Sequence, residues 1–153
     1  MKTGTNIISI STAEIADLLG KAFSCSMWLA FQPAEGAADR VDLSGVDSVP
    51  EQWAAILQAG LPLEAIDMDA NYILHGNLPL KGLTEDGEAK YTFFLQDLIS
   101  GLVAAADGNV APGLTPGEIS LAAESFCHFK NGDLDESDAE RLMQVVLFRE
   151  IVY

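Results

Sequence analysis

The chain has 153 residues, with 8 Lys+Arg against 23 Asp+Glu, so its formal charge is 8 − 23 = −15. That length fits a single domain over 1–153, and 49% apolar residues are enough to bury a core, which argues against wholesale disorder. So acidic a balance argues against direct nucleic-acid binding through phosphates and against docking on an anionic membrane, since both need clustered Lys and Arg.

No uninterrupted apolar run approaches the ~20 residues of a membrane span. Met1-Lys2-Thr3-Gly4-Thr5-Asn6 has no apolar stretch behind its charge, so the expected location is cytoplasmic. Cys25 and Cys127 are too few for a disulfide framework and read as reduced thiols. The charge is spread evenly: residues 1–76 carry 3 − 10 = −7 and residues 77–153 carry 5 − 13 = −8.

In chain order, Ser11-Thr12-Ala13-Glu14 is a capping box, followed by Ile15, Leu18, Leu19, Ala22 and Phe23 at helical spacing. Met27-Trp28-Leu29-Ala30-Phe31 reads as a buried strand. Residues 32–49, with Pro33, Gly36, Gly45 and four acids, read as a long loop. Ser48-Val49-Pro50-Glu51 opens a second helix, carrying Trp53, Ile56 and Leu57 and stopping at Gly60. Ile66, Met68, Ala70, Tyr72 and Leu74 then alternate with Asp67, Asp69, Asn71, Ile73 and His75, the period of a half-exposed strand.

Leu78-Pro79-Leu80 fits an edge strand, Asp86-Gly87 a turn, and Lys90-Tyr91-Thr92-Phe93 the returning strand. A helical stripe follows at Leu95, Leu98, Ile99, Leu102 and Val103. After a Gly-, Asn- and Pro-rich turn at 107–114, Thr115-Pro116-Gly117-Glu118 opens a helix whose apolar face is Ile119, Ala122, Ala123, Phe126 and Cys127. Asn131-Gly132 stops it, and Ser137-Asp138-Ala139-Glu140 opens the last, with Leu142, Met143, Val146 and Leu147 inward. The expected class is α+β: a small antiparallel sheet of about three to five strands packed with four to five amphipathic helices.

Three constellations bear on chemistry. From Phe129, residues Asn131, Asp133, Asp135, Ser137 and Glu140 fall at calcium-loop positions three, five, seven, nine and twelve. Phe129 stands where the first carboxylate is needed and Leu134 where the turn wants Gly, so a capped helix start explains these acids better. Asp67, Asp69 and His75 share one face of the alternating strand, a donor set suited to Mg or Mn. A wetted strand face carries the same residues. A thiol nucleophile would need Cys25 or Cys127 beside His75 or His128. Cys127 and His128 are neighbours in sequence and point about 100° apart on a helix, and Cys127 lies on the apolar stripe. No G-x-S-x-G, P-loop or G-x-G-x-x-G occurs.

Two stretches carry a resemblance. Asn6-Ile7-Ile8-Ser9-Ile10-Ser11-Thr12-Ala13-Glu14-Ile15-Ala16-Asp17-Leu18-Leu19-Gly20-Lys21-Ala22-Phe23, with Met27-Trp28 after it, is similar to the opening of a group of small acidic phage and prophage proteins of uncharacterised function. The closing helix and tail, Asp138 to Tyr153, resemble that group's ending, with Arg149 where the group has Gly. The resemblance implies a phage context, hence a host cytoplasm, and no established activity.

Two functions are expected from different classes. One is a non-enzymatic interaction protein without cofactor, an inhibitor of a host defence or nucleic-acid-handling complex. Its partner would be basic, and Glu35, Asp39, Asp42, Asp133, Asp135, Glu136 and Asp138 would meet it. The alternative is a small-molecule or nucleotide binder or metal-dependent hydrolase built on Asp67, Asp69 and His75. Ile151-Val152-Tyr153 would serve pairing within a subunit or across a homodimer.

Overall fold

The computed structural model describes residues 9–68, 80–83, 88–108 and 115–148. Its elements are α1 (Thr12–Cys25), β1 (Leu29–Pro33), a 3-10 turn (Ala38–Arg40), α2 (Val49–Gln58), β2 (Leu63–Asp67), β3 (Leu80–Leu83), β4 (Ala89–Phe93), α3 (Leu95–Asp107), α4 (Pro116–Asn131) and α5 (Glu136–Phe148). The class is α+β. The strands form one antiparallel sheet in the order β1-β2-β4-β3, with Phe31 opposite Ala65 and Ala65 opposite Tyr91.

Local chemistry sets where the helices begin. Ser11 Oγ accepts from Glu14 N at 3.1 Å while Glu14 Oε1 accepts from Ser11 N at 2.9 Å. Thr115 and Glu118 repeat the exchange at 3.1 and 2.9 Å. Each pair satisfies two amides that a bare helix end would leave without partners. Ser48 Oγ likewise accepts from Glu51 N at 3.2 Å. At the other ends, Gly108 and Gly132 take the left-handed conformation (φ 71° and 80°) that closes α3 and α4.

The core lies between the sheet and the helices. Leu29, Phe31, Leu63, Ala65, Ala89, Tyr91 and Phe93 are all buried from the strands. Helix α5 packs against α1, α3 and α4. Its Leu142, Met143, Val145, Val146, Leu147 and Phe148 are buried on every side, as befits a central helix. Rings tie the layers together. Phe31 sits 5.2 Å from Trp53 and 6.0 Å from Phe93, and Phe148 sits 5.9 Å from Trp28 and 5.8 Å from Tyr91, mostly in edge-on geometry.

Four expectations need correction. Asp67 lies on the sheet's inward face with Leu63 and Ala65, 1% exposed, whereas Ile66 is only half-buried. Within β2 Asp67, not Ile66, therefore faces inward, because it continues the face of Leu63 and Ala65, whose partners Phe31, Tyr91 and Phe93 are buried. Cys127 is exposed. The inward face of α4 is Ala122, Ser125 and Phe129, with a serine buried because its hydroxyl is bonded. Helix α5 begins at Glu136, two residues before the expected start, because Asp135 and not Ser137 caps it. The segment after β1 is also less free than a bare loop: Ala34 and Ala37 are buried, and Ala34 N donates to Pro62 O at 3.3 Å. Residues 1–8, 69–79, 84–87, 109–114 and 149–153 lie outside the described set. Most of the expected alternating strand, the Asp-Gly turn and the terminal Ile151-Val152-Tyr153 strand fall there.

Candidate functional site

The acids expected to meet a partner fall into two places. The first is the turn between α4 and α5. Asp133, Asp135 and Glu136 are exposed there, while Leu134 is buried beneath them as the anchor. Asp135 and Asp138 cap α5 reciprocally: Asp138 N donates to Asp135 Oδ1 at 2.8 Å and Asp135 N to Asp138 Oδ2 at 3.2 Å. Asp138 differs from its neighbours in being 5% exposed, so it belongs to the interior and not to the docking surface.

Its carboxylate collects donors from both helices. Ser125 Oγ donates to Oδ1 at 2.9 Å, His128 Nδ1 lies 2.9 Å from Oδ2, and Arg141 stands 3.6 Å from Oδ1 while donating to Ser125 Oγ at 2.7 Å. Burial alone would raise the Asp138 pKa. The Asp135 amide, the His128 ring and the Ser125 hydroxyl outweigh it and hold the group below the usual carboxylate range. The hydrogen bond to Asp138 raises the His128 pKa, with Glu124 and Asp135 adding to it. Ser125 bonds the carboxylate and not the imidazole, so these residues are not a hydrolytic triad.

Helix α1 closes on the same end of α5. Ser24 Oγ donates to Glu136 Oε2 at 2.9 Å, Ser26 Oγ to Glu140 Oε2 at 3.2 Å, and Lys21 Nζ to Leu134 O at 2.7 Å. Cys25 lies 3.2 Å from Glu136 O and 3.5 Å from Glu140 Oε2. Partial burial raises its pKa, with Glu136 and Glu140 pushing the same way, so this is not an activated thiolate. The calcium-loop reading also dissolves: Phe129 and Leu134 are core, and Asp135 and Glu140 are spent on a cap and on a hydroxyl.

The second place is the segment after β1. Glu35 and Asp39 are exposed beside an open cleft of about 580 Å³, lined also by Gln32, Glu64 and Lys90. Glu64 is 4% exposed and accepts from Gln32 Nε2 at 2.7 Å. Asp42, further along, is held by Ser44, whose hydroxyl and amide both donate to Oδ1 and keep its pKa low.

Of the metal-site candidates, Asp67 faces the core beside Leu63 and Ala65, and Asp69 and His75 lie outside the described residues. Among the described residues no group of three or more His, Cys, Asp or Glu is placed to hold a metal ion. Sequence reasoning missed Ser125 and Arg141, the two partners that bury Asp138. The readable signal was their spacing, with Ser125 and His128 one turn apart on α4 and Asp138 and Arg141 one turn apart on α5. Among the described residues no helix is long and apolar enough to cross a membrane. No protein-family model, no curated protein and no solved structure matches this chain.

Proposed function

We propose that the protein is a non-enzymatic interaction protein that docks a basic partner through its anionic exterior. The observation that carries this is how the charges are used. Lys21 is tied to Asp17 and Leu134 O, Lys130 to Glu14 and Ser9 O, and Arg141 to Asp138 and Ser125. These three cations serve the fold, while Glu35, Asp39 and Asp133 stand exposed with no ion pair among the described residues, Arg40 and Lys90 lying near the first two. A surface of that kind accelerates and strengthens encounter with positive surfaces and loses its reach in salt.

The finer proposal is that the partner is a nucleic-acid-handling or defence complex of a host cell. Its basic groove would accept a dense array of carboxylates in place of phosphates, since both present closely spaced negative charge. The phage resemblance of the chain ends motivates that setting.

The test compares two variants of equal charge. Glu35→Gln/Asp39→Asn/Asp133→Asn removes acids from the two proposed patches; Asp47→Asn/Glu51→Gln/Asp107→Asn removes as many elsewhere. Pull-down from host lysate, repeated at high salt, should return a basic protein that the first variant loses and the second keeps. Equal loss from both would reduce the effect to net charge, and no salt-sensitive partner at all would end the proposal.

A further inference from the structure

We propose that His128 and Asp138 form a pH-operated latch across the α4–α5 turn, closed when the imidazole is protonated and loosened when it is neutral. The geometry is specific. Asp138 Oδ2 lies 2.9 Å from His128 Nδ1 on α4 and accepts at 3.2 Å from the Asp135 amide, the cap of α5. One buried carboxylate therefore joins the end of one helix to the start of the next, and the segment it spans carries the exposed Asp133, Asp135 and Glu136. The far side of the turn is fixed by backbone: His128 O accepts from the Gly132 and Asp133 amides, the latter at 2.9 Å.

The charges around the ring all favour its protonated form except one. Asp138 touches Nδ1, Glu124 lies 3.8 Å from Nε2, and Asp135 acts from the turn. Arg141 opposes them from behind the carboxylate, 3.6 Å from Oδ1. Among the described residues, no charged side chain of α1 or α3 pairs with the imidazole. Lys130, two residues along, is drawn away to Glu14 and Ser9 O.

The neutral ring still donates from Nδ1 in one tautomer, so the latch weakens without vanishing. What it loses is the ion pair, which is the stronger form of the contact. A group whose native pKa is raised contributes stability fully below its ordinary value, 6.5 for this histidine, and loses it as pH climbs through the native value. The window therefore opens above 6.5 and closes past the raised native value. Control of docking by this latch rests on the function proposed above. The latch itself is read on the protein alone, so the two ideas fail separately.

Amide hydrogen exchange on the whole chain, expressed as protection factors, tests it. Protection at the Asp133, Asp135 and Asp138 amides should fall several-fold as pH rises through the titration of His128 followed by NMR on the same sample. His128→Gln should remove that pH dependence while the rest of the chain keeps its protection. Flat protection in the wild-type chain, a midpoint that does not coincide with the ring's own titration, or the same fall in His128→Gln would each overturn the latch.

Discussion

A Cβ on Gly101 would lie 2.6 Å from both the Cα and the Cγ2 of Val146. Since one neighbour is backbone, α3 and α5 would have to move apart. Gly101→Ala therefore destabilises, by about 1–3 kcal/mol, even though alanine is the better helix former. Equilibrium unfolding in denaturant reads the change, and an unaltered midpoint would mean that the two helices are not so closely packed. Asp138 supplies a second residue-scale prediction. Its native pKa is below its ordinary value of 3.8, so its contribution is present above that value and is lost as pH falls through the native one. Asp138→Asn should lower stability near neutral pH by about 1.5–3 kcal/mol, the range for hydrogen bonds to a charged group. The gap to wild type should close in strong acid. A gap that persists there would assign the loss to packing instead.

The element scale shows what hydropathy patterns can and cannot reveal. Capping boxes are local, because donor and acceptor lie three residues apart, and the starts of α1, α2 and α4 were readable from Ser11, Ser48 and Thr115. Helix α5 departs from its Ser137–Glu140 pattern: Asp135 caps it, while Glu140 is drawn toward Ser26 and Asp138 toward His128. The inward faces of α4 and β2 depart from the hydropathy pattern for a related reason. Ser125 and Asp67 are polar yet buried, and periodicity registers apolarity rather than burial. The candidate site suffered most, since the acid grouped with its surface turned out to be its interior anchor. If the boxes do nucleate their helices, Ser11→Ala and Thr115→Ala should each cost about 1 kcal/mol in thermal or denaturant unfolding, because each leaves an amide at N3 without its acceptor. Gly in either position should cost less, and an equal loss would point away from capping.

At the scale of the whole molecule, an excess of fifteen negative charges opposes the fold that carries it. The repulsion reaches ~30 Å in ~0.01 M salt and only ~8 Å at ~0.15 M, so the thermal midpoint should rise over that range before other salt effects intervene. Neutralising acids that serve only the exterior should do the same without salt. Glu136 and Asp135 are poor choices, because they accept from Ser24 Oγ and cap α5. Glu35, Asp39 and Asp133 make no such bond among the described residues, and removing them takes the charge from −15 to −12. Glu35→Gln/Asp39→Asn/Asp133→Asn should then melt at the same temperature as wild type or higher in low salt, and converge with it in high salt. The same variant should bind a basic partner less well. The two results together separate a surface kept for contact from one needed by the fold, for a loss of stability in low salt would show that these carboxylates hold the structure itself.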